Sequence, residues 1–179
     1  EFKGGIGTSS RVLDAKAGGY TVGVLVQCNY GSRDQLRIAG VNVGREIPEH
    51  TLWRSDTGSI IVVVATDAPL IPTQLKRIAK KVSLGLGRDG SYSGDGSGDI
   101  FLAFSTANPG AVGTKGVHQL KMLPNDSLDP IFLATVQATE EAVINAMIAA
   151  DTMTGINDRT VIALPHERLR EVLKKYNRS

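Results

Sequence analysis

The sequence predicts a layered α/β fold. Short apolar runs rich in β-branched and aromatic residues alternate with long stretches that are apolar on one side only. The runs 60–65 and 99–105 are unbroken and bounded by polar turns, so they read as strands buried on both faces. The stretches 72–85, 127–154 and 165–176 carry apolar residues at helical spacing, and each opens at or near a proline, a good first-turn residue. No internal repeat and no long linker divides the 179 residues.

Each element follows from local composition. Residues 2–11 are rich in glycine and polar residues, and could cradle an anion through backbone N–H groups. They lack the Lys-Ser ending of a phosphate-binding loop, and no helical pattern follows. After the Gly18-Gly19 turn, residues 20–28 read as a strand, with Gly23 marking a close backbone approach. Asn29-Tyr30-Gly31 ends it as a turn. Residues 36–43 predict a short strand or extended segment, broken by Asn42 and Gly44. Residues 46–56, with Pro48 and Trp53, predict an exposed loop. Asp56-Thr57-Gly58-Ser59 then leads into the 60–65 strand. Pro72 opens a helix with Leu75, Ile78, Ala79, Val82 and Leu86 on its apolar face and Lys76, Arg77, Lys80 and Lys81 on a solvated one, ending around Gly85. Gly85-Leu86-Gly87-Arg88-Asp89-Gly90 fits G-x-G-x-x-G, but that motif must follow a strand and open a helix, and here it does the reverse. Residues 87–98 are a Gly/Ser/Asp loop, and 117–123 predict a short strand. A long helix is expected to start at Ser127-Leu128-Asp129-Pro130, with Pro130 in its first turn, run to about Thr154 and stop at Gly155. Val143, Ala146, Met147 and Ala150 mark its buried face. Residues 160–164 predict a further short strand, and Pro165 opens a last helix with Leu169, Val172, Leu173 and Tyr176 on one side.

Composition narrows the function. Twenty Lys and Arg against eighteen Asp and Glu leave a net charge of +2. No basic block with interleaved aromatics suggests nucleic acid. No apolar run reaches the roughly 20 residues that span a bilayer. The expectation is a soluble protein of the cytoplasm or periplasm. One cysteine, Cys28, excludes an internal disulfide and a cysteine-built zinc site. There is no H-E-x-x-H and no G-x-S-x-G. His50, His118 and His166 stand in neither an elbow nor a metal-ligand spacing, and read as surface or structural residues. No metal and no organic cofactor is expected.

Ser59 is placed where a surface loop meets the mouth of a buried strand. A nucleophile there is held rigid and still reached by substrate, although a Gly-Ser dipeptide is also an ordinary turn ending. Ser97-Gly98-Asp99 lies at the mouth of the next strand. Residues two apart on a strand share a face, so Ser97 and Asp99 could form a hydrogen-bonded pair beside Ser59, or be a turn serine and a strand-capping acid. Asn29 reads as a turn asparagine.

Gly58-Ser59-Ile60-Ile61-Val62-Val63-Val64-Ala65-Thr66-Asp67-Ala68-Pro69-Leu70 resembles the self-cleavage segment of the L-aminopeptidase D-Ala-esterase/amidase family, which includes the β-peptidyl aminopeptidases. Lys3-Gly4-Gly5-Ile6-Gly7-Thr8-Ser9-Ser10-Arg11 and Val26-Gln27-Cys28-Asn29-Tyr30-Gly31 resemble segments of the same family. The resemblance covers nearly all of the chain. It implies a four-layer α-β-β-α sandwich, of which this chain is the C-terminal part, supplying pieces of both sheets. It implies cleavage between Gly58 and Ser59. Residues 1–58 would then end the larger subunit and residues 59–179 form the smaller one, both within one structural domain. Much of the larger subunit would lie upstream and act as partner, in a homo-oligomer.

The resemblance also implies roles. Ser59 is the nucleophile, freed as an N-terminal residue whose own amine, of unperturbed pKa about 7.7–8.0, serves as base. Ser97 orients or relays a proton for Ser59. Asp99, which is glutamate in some relatives, polarises Ser97 and supports the protonated amine. Asn29 is an oxyanion donor. The implied activity is removal of N-terminal residues from short peptides, amides or esters through an acyl-Ser59 intermediate. The alternatives are an ornithine-acetyltransferase-like acyltransferase, which would use threonine as its nucleophile, and an uncut α/β binding protein.

Overall fold

The computed structural model of the chain describes residues 1–50, 58–113 and 115–178. Four strands form one mixed sheet: β1 (Ile6–Val12), β2 (Thr21–Asn29), β3 (Ser59–Thr66) and β4 (Ile100–Ser105), in that spatial order. β1–β2 and β2–β3 are antiparallel, whereas β3–β4 is parallel. A parallel pair needs a crossover, and α2 (Pro72–Arg88) supplies it. The glycine-rich opening is therefore an edge strand and not an anion cradle. Its Gly7 lies so close to α3 (Asp129–Ile148) that a Cβ there would stand 2.6 Å from the Ala146 amide nitrogen.

Both long helices cover the same face of the sheet. α3 packs on β1 and β2, and α2 packs on α3 and β4. Val22, Val24, Val26, Ile60, Val62 and Val64 point into this layer and are at most 3% exposed. α3 has the length and apolar composition of a bilayer-spanning helix, a feature that scanning for an unbroken apolar run overlooks. Here it is a core helix, burying residues from Ile131 to Met147.

The opposite face of the sheet corrects the expectation of strands buried on both sides. Leu25, Ile61, Ile100, Leu102 and Phe104 lie on it and are between 38% and 54% exposed. By alternation Asn29 and Ser59 belong to this open face too. The described residues thus supply one sheet and one helix layer, not pieces of two large sheets.

Other boundaries also move. Residues 36–43 form an isolated bridge between Ile38 and Val41, followed by the single-turn helix α1 (Val43–Glu46). No strand forms at 117–123; the backbone there is tied instead by Asn108, which exchanges hydrogen bonds with Lys121 at 2.8 and 3.0 Å. α2 runs three residues past Gly85, and Gly90 follows its end with φ +99°. α3 stops at Ile148, before a two-residue ribbon of β5 (Met153–Thr154) and β6 (Thr160–Val161). α4 (His166–Lys175) follows Pro165 and buries Leu169 and Val172. The basic face of α2 is only partly solvated: Arg77 and Lys81 lie over the Phe132 ring at 5.1 and 4.7 Å. Trp53 and the Asp56-Thr57 approach to Gly58 fall outside the described residues.

Candidate active site

Ser59 is the first residue of β3 and pairs across to Asn29, the last residue of β2. Directly opposed residues of antiparallel strands hold their Cβ atoms about 4.5–5.5 Å apart, so hydroxyl and amide share one end of the open face. Gly58 enters through a tight gap. A Cβ on it would collide with the Asn29 carbonyl oxygen and stand 2.6 Å from Tyr30 Cα. Backbone cannot yield as a flexible side chain can, so this position accepts only glycine in the present geometry.

The loop after α2 brings the second group of residues. The Gly98 amide donates to Ser59 Oγ at 3.0 Å. Asp99 Oδ1 accepts from the Ile60 amide at 3.2 Å. β4 pairs with β3 only from Ile100 onward, so the Asp99 carboxylate takes an N–H that has no strand beside it on the β4 side.

Ser97 does not form the expected side-chain pair with Asp99. Its amide closes a turn on the Gly94 carbonyl at 2.8 Å, so the alternation of an extended strand does not reach back to it. Among the described residues it is Ser93 Oγ that donates to Asp99 Oδ2, at 3.1 Å. Sequence reasoning missed Ser93. A signal was present in Ser-Tyr-Ser-Gly, where several serines stand within reach of one acid, but spacing alone does not choose among them.

The histidines lie elsewhere. His166 Nε2 meets the Ile148 carbonyl at 3.1 Å, His118 packs against Gly113, and His50 has φ +57°. Among the described residues no cluster of three or more His, Cys, Asp or Glu is placed to hold a metal ion.

A cavity of about 520 Å³ opens beside Asn29 and Gly58, with Phe2, Cys28, Met147 and Ile156 in its wall. Arg33, 3% exposed, borders it and lies 3.4 Å over the Phe2 ring. Its guanidinium donates to the carbonyls of Ile47, Glu49 and Glu1 at 3.1–3.3 Å, tying down the segment that leads toward the 51–57 stretch. Burial holds its pKa below the usual arginine range. Asp89 also borders the cavity, and among the described residues neither of its carboxyl oxygens has a hydrogen-bond partner. Burial, with the Glu140 charge adding to it, pushes its pKa up to about 9. The Cys28 thiol is pushed up to about 12, by burial first and by Asp89 second. A neutral thiol on the helix-covered face is a poor nucleophile.

The helix-backed mixed sheet is an α/β arrangement, and the solved structures that match it place it in the N-terminal-nucleophile (Ntn) hydrolase fold. The L-aminopeptidase D-Ala-esterase/amidase from Ochrobactrum anthropi, described as a prototype for the serine aminopeptidases and a new variant among the Ntn hydrolase fold, superposes with TM-score 0.89 at 50% identity; the match covers 99% of this chain and 49% of that one. A β-aminopeptidase from Burkholderia sp. gives 0.85 at 47% identity, covering 97% and 50%. In sequence, the β-peptidyl aminopeptidase BapA of Sphingosinicella microcystinivorans is 50% identical over 99% of this chain and 49% of its own length. The chain belongs to Peptidase family S58, whose family model matches residues 1–161. It spans about half the length of the relatives it matches.

Proposed function

We propose that this chain is the nucleophile-bearing part of a self-processed serine aminopeptidase. The observation that carries the reading is the placement of Ser59 Oγ, one residue after Gly58, held by the Gly98 amide and paired with Asn29 on the open face of the sheet.

The chemistry follows from that placement. Ser59 Oγ attacks the Gly58 carbonyl carbon, the hydroxyl proton passes to the Ser59 nitrogen as the Gly58–Ser59 C–N bond breaks, and an ester forms with the Ser59 amine released. Water hydrolyses the ester, leaving a Gly58 carboxylate and restoring the hydroxyl. Cleavage therefore makes the catalyst: the free amine, with a pKa near neutrality, accepts the Oγ proton in the next attack. A substrate acyl group then passes to Ser59 Oγ, the leaving amine takes the proton, and water releases the acid. Asn29 supports the developing oxyanion. Asp99 anchors the first peptide unit behind the nucleophile and supports the charge on the amine. Ser97 contributes from the same loop, one residue before the amide that holds Oγ.

Substrates are short peptides, amino-acid amides or esters, a reading supported by relatives named as a β-peptidyl aminopeptidase and an L-aminopeptidase D-Ala-esterase/amidase. The division falls after residue 58, with residues 59–179 as the smaller subunit. The half-exposed apolar face of the sheet is covered by the upstream part of the larger subunit, completing the four-layer sandwich, and the assembled enzyme is a homo-oligomer. The test is hydrolysis of an amino-acid p-nitroanilide by the mature full-length protein. Activity should survive a strong chelator and vanish on acylation of the N-terminal serine. Loss to the chelator with recovery on zinc addition would point to a metallopeptidase instead.

A further inference from the structure

Ser93 stands in the loop between α2 and β4 with φ +48°. That backbone region is uncommon for any residue other than glycine. Among the described residues Ser93 Oγ makes one side-chain hydrogen bond, donating to Asp99 Oδ2 at 3.1 Å. The other oxygen of the same carboxylate is the acceptor for Ile60 N–H. With one oxygen held from the loop and the other held from the strand, the carboxylate plane has little freedom to turn.

Ile60 is the residue after the proposed nucleophile. Once the chain is cut before Ser59, β3 begins with a free end, and strand ends fray unless tied down. On the β4 side the tie at Ile60 is a side chain and not a neighbouring strand, because β4 pairs only from Ile100. Anything that lets Asp99 swing away therefore loosens the peptide unit carrying Ser59.

Resting on the reading of Ser59 as nucleophile, we infer that Ser93 is a positioning residue, its hydroxyl locking the Asp99 carboxylate onto the Ile60 amide and so fixing the new N-terminus. The left-handed backbone places that hydroxyl over Asp99. A glycine at position 93 would keep the backbone at lower cost and lose the hydroxyl, which separates the two contributions.

The experiment compares Ser93→Gly and Ser93→Ala in the mature full-length enzyme by steady-state kinetics and by amide hydrogen exchange at Ile60. Both variants should lower kcat about tenfold or more with KM nearly unchanged, the signature of misplaced catalytic groups. Both should also speed exchange of the Ile60 amide by about tenfold or more, by local opening. Ser93 is exposed, so the melting temperature should hardly move. Normal Ile60 exchange in Ser93→Gly would overturn the inference whatever the activity, and so would full turnover in that variant. An inactive wild-type enzyme whose Ile60 amide still loosens in Ser93→Gly would sink the proposed aminopeptidase activity and leave the positioning contact standing.

Discussion

The Gly98 amide donates to Ser59 Oγ at 3.0 Å, and no side chain could stand where Gly98 has only hydrogen without pressing on that oxygen. A Cβ built at Gly98 lies 3.0 Å from Ser59 Oγ and 3.9 Å from Ser59 Cβ. Both positions border solvent, so the fold should tolerate Gly98→Ala. Turnover should not: displacement of a nucleophile by a fraction of an ångström to 1 Å costs about 10- to 100-fold. Steady-state kinetics on cleaved enzyme checks this, and normal kcat in Gly98→Ala would mean that the Ser59 hydroxyl accommodates the added methyl without losing its working position.

Gly58→Ala should arrest maturation. The added methyl meets the backbone of Asn29 and Tyr30, which belongs to the end of an inner strand and its turn. The scissile carbonyl would have to leave its place. Gel electrophoresis of purified precursor over several hours should show the variant intact while the wild type is cut.

Asn29→Ala should lower kcat by roughly 10²–10³ if its amide supports the oxyanion. Ser97→Ala and Asp99→Asn should lower kcat and kcat/KM together. The two pieces made separately and recombined are the material to measure, because the same changes can block cleavage and mimic a catalytic defect.

Asp89 predicts a pH dependence of stability. Its folded pKa is raised from 3.8 to about 9, by burial first and then by Glu140, with Arg88 opposing. Between those values the folded state keeps a proton that the unfolded chain has lost. Stability must therefore fall as pH rises through this window. Asp89→Asn keeps the shape and removes the titration. Melting temperatures between about pH 5 and 8.5 should decline less steeply in the variant than in the wild type; equal slopes would mean that folding does not raise the Asp89 pKa.

Much of the fold was legible in the sequence because its signals are local. The β-branched run after Ser59 and the prolines at 72, 130 and 165 place one inner strand and three helix starts within a few residues of where they lie. Burial was less legible. An apolar run such as Ile61 or Leu102 in its strand looks the same whether the second face is covered by its own chain or by another, and here both residues remain well exposed. The pairing of Ser59 with Asn29 brings together a serine that sequence pattern set at the mouth of a strand and an asparagine that it could only read as a turn residue, both singled out by the family resemblance. Ser93 was not singled out because a Gly/Ser/Asp loop has no periodicity to choose among its serines. Which serine meets Asp99 is decided by the turn that Ser97 closes on Gly94, a backbone event that composition does not record.

The central claim is that Ser59 becomes an N-terminal residue by its own chemistry. Intact-mass measurement of purified, protease-free full-length precursor tests it most directly. The wild type should yield a fragment beginning Ser59-Ile60-Ile61, and Ser59→Ala, which lacks the attacking oxygen, should remain a single chain. Equal cleavage of the Ser59→Ala protein at the Gly58–Ser59 bond would contradict the account.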